Sequence, residues 1–180
     1  MYIRQFTRKP LTIAVAAIVA TGVLAATASA VLTPSSGTTQ TQMKNVAGSD
    51  PSTTSSTSWV SVPGSDIPMT LSASGLINAR FTAESLCTGG AGWCSVRIVV
   101  FSADTGTFTE LNPASGTDFA FDSVNDGSAD DRYESNAMER SLRLPAGAYR
   151  FRVEYAVDAL AASPVTSRLD DWHFTVQASA

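Results

Sequence analysis

The stretch Tyr149-Arg150-Phe151-Arg152-Val153-Glu154-Tyr155-Ala156-Val157 decides the fold. Large apolar side chains recur at every second position, and Arg150, Arg152 and Glu154 fill the places between them. Successive side chains of an extended chain point to opposite faces, so this period of two predicts a strand with one dry face and one wet face. The same rhythm runs through Ile77, Ala79, Phe81 and Ala83, set against Asn78, Arg80, Thr82 and Glu84. Cys94, Val96, Ile98 and Val100 form a third inward row. There Val99 and Phe101 make the outer row partly apolar as well, which predicts a central strand covered on both sides.

Shorter pieces complete the series. Ile67, Met69 and Leu71 open it, Phe119 and Phe121 predict a short middle strand, Met138, Leu142 and Leu144 a later one, and Trp172, Phe174 and Val176 close it. Turn-forming residues fall between the runs: Pro63-Gly64, Ser74-Gly75, Gly89-Gly90, Asp104-Thr105-Gly106, Asn112-Pro113, Asp126-Gly127 and Pro145-Ala146-Gly147. No apolar stripe of helical period and useful length is present. The expectation is an all-β fold, an antiparallel two-sheet sandwich of the jelly-roll kind with eight or nine strands.

The link Leu144-Pro145-Ala146-Gly147-Ala148-Tyr149 tests the topology. As a tight hairpin with both apolar rows inward it would set Arg143 against Arg150 and Glu139 against Glu154. Like charges directly opposite one another are unfavourable. The link is therefore expected to cross from one sheet to the other.

Outside this region the composition changes. Arg4, Arg8 and Lys9 precede an apolar run over 11–27, and Ala28-Ser29-Ala30 is a small-residue cleavage pattern, so 1–30 reads as a secretion signal with the mature chain starting at Val31. Removing the signal leaves nine basic against sixteen acidic residues, a formal charge of −7. An acidic surface repels phosphate backbones, which excludes nucleic acid as a natural partner and suits neutral glycans, cations or basic proteins. With the signal cleaved, no stable membrane insertion is expected. Residues 31–58 are rich in Ser and Thr and poor in large apolar side chains, and read as a flexible linker. Residues 59–180 make one domain.

Cys87 and Cys94 are the two cysteines, and in an oxidising compartment they are expected to pair. Closing so short a loop is worth about 2.5 kcal/mol in the chain-entropy model, which makes the bond a local staple.

Asn78-Ala79-Arg80-Phe81-Thr82-Ala83-Glu84-Ser85, Gly92-Trp93-Cys94-Ser95-Val96-Arg97-Ile98-Val99-Val100, the stretch from Asn112-Pro113-Ala114-Ser115-Gly116-Thr117 through Asp118-Phe119-Ala120-Phe121-Asp122-Ser123, and Leu144-Pro145-Ala146-Gly147 resemble a group of small secreted actinobacterial proteins. That group has no assigned activity, so the resemblance implies an export signal and a β-sandwich and transfers no catalytic residue. In pattern, 144–157 also resembles strands of jelly-roll carbohydrate-binding modules and of C1q-like domains.

Several side chains are candidates for function. Trp93, expected in a glycine-rich turn beside Cys94, is large and planar, suited to stacking on a sugar ring or anchoring a protein, or else to packing over the disulfide. Tyr133 and Trp59 share that ambiguity. Arg140 has the parity of Met138, Leu142 and Leu144, so it must find a buried carboxylate or carbonyl, reach water through a bulge, or face a ligand. Asp122, Asn125, Asp126 and Asp130 surround Gly127 and form a candidate calcium loop, since hard cations take several oxygen ligands; no glutamate stands where an EF-hand places its bidentate ligand. His173 is expected to point outward beside Thr175, and no nucleophile-elbow sequence accompanies it.

The functional expectation is a non-catalytic module at the cell envelope that binds a glycan or a secreted protein, with no cofactor unless calcium binds. Two other classes remain open. A small extracellular hydrolase could act through two carboxylates, and a structural subunit could self-associate as C1q-like domains do.

Overall fold

A computed structural model of the chain describes residues 39–116, 119–124, 132–160 and 163–180. The expected signal, 1–30, lies outside them. Among the described residues no helix is long and apolar enough to cross a membrane.

The chain forms two antiparallel sheets facing each other. In the first, β1 (Gln40–Gly48) pairs with β11 (Val165–Ser179), β11 with β5 (Gly75–Gly89), and β5 with β9 (Glu134–Leu144), while β2 (Ser52–Thr54) continues the β1 edge along β11. In the second, β3 (Val60–Ser61) and β4 (Ile67–Leu71) share one side of β10 (Gly147–Ala159). β6 (Gly92–Ser102) takes the other side, and β7 (Thr107–Glu110) and β8 (Asp122–Val124) lie beyond β6. Four antiparallel pairs are nested in sequence: β1 with β11, β4 with β10, β5 with β9, β6 with β7. One long hairpin rolled up on itself gives that nesting, which is the jelly-roll path.

Period-two patterning positions the core. Ile77, Ala79 and Phe81 of β5, Val96 and Ile98 of β6, Phe151 and Val153 of β10, and Phe174 and Val176 of β11 are all fully buried between the sheets. Phe81 sits at the centre of an aromatic group, with ring centroids 5.9 Å from Phe121, 6.2 Å from Trp172 and 6.5 Å from Phe174.

β9 and β10 lie in different sheets, as like-charge avoidance predicts. Glu139 consequently faces Arg80 on β5, and Glu154 faces Arg97 on β6. The disulfide Cys87–Cys94 joins β5 to β6 where the chain crosses between sheets. Its sulfurs pack with Val124, Val157 and Val165 in a small second core. Gly89 lies at that corner with φ +110°, and a Cβ there would fall 2.1 Å from the Pro164 carbonyl oxygen, so only glycine fits.

β11 buries two parities. Val165, Ser167 and Leu169 face inward, and then Trp172, Phe174, Val176 and Ala178 do. The register against β5 slips between Asp170 and His173, and Asp171 takes φ 42°. This is a β-bulge: one extra residue turns the later half of the strand over, and aspartate tolerates the left-handed conformation.

Three expectations are corrected. Of the flexible linker expected over 31–58, residues 40–48 and 52–54 are instead strands, because β1 and β2 pair with β11, while 31–38 lie outside the described residues. An edge strand is held by backbone hydrogen bonds and needs few large apolar side chains; here Val46 alone packs on the core. Lys44 closes the open seam, its Nζ donating to the Pro68 carbonyl at 2.6 Å. Phe119 and Phe121 are not in a strand; Phe121 is buried as a plug and its N–H bonds Cys94 O at 3.0 Å, with β8 starting after it. The strands number eleven among the described residues rather than eight or nine, the excess being short edge pieces.

Gly48 lies against the Trp172 indole, and a Cβ there would come within 2.6 Å of the ring. Gly48→Ala should lower stability by about 1–3 kcal/mol, read as a fall in the urea midpoint at unchanged slope. Replacing both Cys87 and Cys94 by serine should cost about 2.5 kcal/mol and leave the far-ultraviolet β signature in place. Loss of that signature would make the corner disulfide a condition of folding.

Candidate functional site on the outer face of one sheet

The outer row of β10 is Arg150, Arg152, Glu154, Ala156 and Asp158, and that of β6 is Trp93, Ser95, Arg97, Val99 and Phe101. Glu154, directly opposite Arg97, is 4 % exposed although it lies on the outward side of the sheet. Its Oε2 accepts hydrogen bonds from Arg97 Nε at 2.8 Å and from Nη2, and its Oε1 accepts from Arg152 Nε at 2.8 Å and from Nη2. One carboxylate thus holds two planar guanidinium groups, each through a two-pronged contact. Arg97 Nη1 also lies 3.6 Å from Glu110 Oε2 on β7.

Each arginine in turn supports an aromatic ring. The Arg97 guanidinium lies 4.5 Å from the Trp59 ring centroid, and Arg152 lies 4.3 Å from that of Phe108. Cation–π contacts of this kind add to the hold on both partners. Arg152 reaches from β10 across β6 to β7, level with Val99, and Val99 is buried on this outward face. Phe108 pairs in register with Phe101, centroids 4.9 Å apart, and remains 52 % exposed. Trp59 immediately precedes β3; extending that register places it level with Ala156 and then Ser95, both small and both fully covered.

Trp93 shares this face. It belongs to β6 rather than to a turn, in register with Asp158 and Ser123, and is half-buried. Cys94 next to it faces the core, so the indole points away from the disulfide. From Trp93 to Phe101 the strand advances eight residues, roughly 26 Å. Trp93, Trp59 and the Phe101–Phe108 pair stand along that length.

Arg140 and Tyr133 are elsewhere. Arg140 faces inward on β9, half-buried, at the seam that Asn112, Ser115 and Phe119 border. Among the described residues no carboxylate bonds it directly. Its Nη1 donates to Glu139 O at 2.9 Å, its Nη2 to Ser115 Oγ at 3.1 Å, and the Phe119 ring lies 4.8 Å away. Burial lowers its pKa from the ordinary arginine value, and the Glu110 carboxylate offsets part of that. Glu110 also accepts from Ser115 N at 2.5 Å, so a polar chain runs from the outer face around the sheet edge to the seam. Tyr133 is exposed beside Arg168, 5.5 Å from guanidinium to ring. Neither residue joins Trp93 in a common site.

Of the candidate calcium ligands, Asn125, Asp126 and Asp130 lie outside the described residues. Asp122 Oδ2 accepts from Ser85 Oγ at 2.8 Å, and Ser85 Oγ accepts from Asn136 Nδ2 at 2.8 Å. Among the described residues, no three His, Cys, Asp or Glu side chains converge as a metal site. His173 is exposed, 3.3 Å from Asn45 Nδ2 and from Thr175 Oγ1.

The clamp and its two stacks escaped the sequence reading, although part of the signal was present. Arg97, Arg152 and Glu154 have outward parity, and Val99 and Phe101 marked that face as covered. What linear pattern lacks is the register that sets Glu154 opposite Arg97. No family model and no curated protein matches the chain. Among solved structures it is similar in backbone to a chain from the infectious bursal disease virus Gx strain, with a TM-score of 0.35 and 9 % identity. The match covers 82 % of this chain and 39 % of that one, so this chain spans well under half the length of the viral chain.

Proposed function

We propose that the protein is an exported, non-catalytic binding module of the cell envelope that takes a glycan on the outer face of the β4–β10–β6–β7 sheet. The observation that carries this reading is the pair of aromatic–guanidinium stacks, Trp59 on Arg97 and Phe108 on Arg152, held by the single carboxylate of Glu154. A sugar ring offers an apolar C–H face and a rim of hydroxyls. An aromatic ring meets the first, and a guanidinium, which only donates hydrogen bonds, meets the second. Side chains already held in place lose little conformational freedom on binding.

The same face suits a protein partner less well. A stable protein interface needs about 800 Å² from each side around a dry apolar centre, whereas Phe108 is the one strongly exposed ring among the stacked residues. Export follows from the signal pattern of 1–30, and the disulfide is compatible with an oxidising compartment.

Retention on insoluble cell-wall polysaccharide should be saturable and accompanied by no release of reducing ends. Trp59→Ala and Phe108→Ala should each weaken it about tenfold, near 1.4 kcal/mol. Retention unchanged by both substitutions would overturn the assignment of this face. Glu154→Leu should cost about 2 kcal/mol in urea denaturation, because it strands two guanidinium groups, and should weaken retention as well, while Glu154→Gln should do less of both. A Glu154→Leu protein as stable and as retentive as the parent would remove the clamp from this account.

A further inference from the structure

Resting on the glycan reading, we infer that the ligand is a neutral, extended polysaccharide lying lengthwise along β6 and β10. Two observations lead there, one of geometry and one of charge.

Trp93, Trp59 and the Phe101–Phe108 pair are spread along one strand direction of the face over roughly 26 Å. A pocket that captures a chain end gathers its contacts around a single point. Here they are spread over the face, from Trp59 beside β3 and Trp93 on β6 at one end to Phe101 on β6 and Phe108 on β7 at the other, so a ligand that meets them all runs along the strands. A cavity among the described residues lies elsewhere, lined by Thr70, Leu71, Ser72 and Gly75 beside β1.

The charges on this face are nearly matched. Glu154 and Glu110 answer Arg97 and Arg152, and Asp66, one residue before β4, stands on the same side as the exposed Arg150. Asp158, opposite Trp93, leaves one acid over, so the face has no cationic excess to attract a polyanion. Around the face the chain is acidic, with a formal charge of −4 overall and −7 for residues 31–180, which disfavours a polyanion further. The ligand chemistry complementary to neutral, donor-rich guanidinium–carboxylate pairs between aromatic rings is a run of uncharged, hydroxyl-bearing rings.

The test is calorimetric titration of the full secreted protein with neutral β-1,4-linked gluco- and N-acetylglucosamine oligomers of increasing length, at low and at high salt, with polygalacturonate as the charged comparison. Affinity should rise about tenfold or more from the disaccharide to an oligomer that spans the face, and then level off. It should change less than about twofold with salt. Trp93→Ala should shorten the length at which affinity levels off while keeping the binding that Trp59 and Phe108 provide, with a circular dichroism spectrum and melting temperature checking its fold. Equal affinity for short and long oligomers would overturn lengthwise binding and leave the glycan face standing. A salt-sensitive preference for polygalacturonate would overturn the neutral ligand alone. Failure to bind any carbohydrate, or concentration-dependent dimerisation through this face in light scattering, would end both this inference and the reading beneath it.

Discussion

The carboxylate of Glu154 is the group on which the outer face of the β10–β6 sheet depends. It lies almost dry on the outward side of a sheet, a position where an isolated charge would carry a large desolvation cost. Four guanidinium N–H contacts remove that cost. In holding two arginines it also fixes two rings, since Trp59 and Phe108 rest on the guanidinium planes. Lysine in either place would supply charge without a plane to stack on.

The clamp exists because of how the sandwich is wound. In a flat meander β9 and β10 would be neighbours, and their outward residues would set arginine against arginine and glutamate against glutamate. Rolled into two sheets, each acid meets a base: Glu139 lies opposite Arg80 and accepts from Asn78, while Glu154 lies opposite Arg97. The disulfide between β5 and β6 and the bulge at Asp171 serve the same path. One holds a corner where the chain changes sheet, and the other brings Trp172 and Phe174 inward after Leu169 has already faced the core.

Much of this was legible in linear pattern, because period-two burial is local. Ile77 to Phe81, Val96 to Val100, Phe151 to Val157 and Trp172 to Val176 all declare their inward faces by alternation alone. The departures occur where pairing depends on partners distant in sequence. β1 and β2 are built mostly from polar and small residues and carry too few large apolar side chains to announce a strand; they form because β11 is fifteen residues long and offers an unpaired edge. The inward parity of Arg140 was visible, but its partners were not, since Ser115 and Phe119 border the seam from elsewhere in the chain. Trp93 was singled out for its ring, whereas its companions on the face, Arg97, Arg152 and Phe108, belong to three different strands and meet only through register.

Why a sandwich should keep an arginine–glutamate–arginine triad on its surface is a question of what such triads contribute. A nearly buried ion pair adds little net stability over apolar side chains of similar size, because the Coulombic gain mostly returns the cost of desolvation. Apolar replacements at 97, 152 and 154 would pack over Val99 and Ala156 at least as favourably and would leave a greasy patch. What they could not do is hold rings edge to edge with hydrogen-bond donors in fixed directions. The inner rows of β6 and β10 already provide the core, with Val96, Ile98, Phe151 and Val153 fully buried, so cohesion does not require the triad. Orientation does: a planar donor held by a carboxylate and covered by an aromatic ring presents its remaining N–H groups to solvent in one arrangement, and the proposed recognition of a patterned ligand would need that constancy more than additional stability.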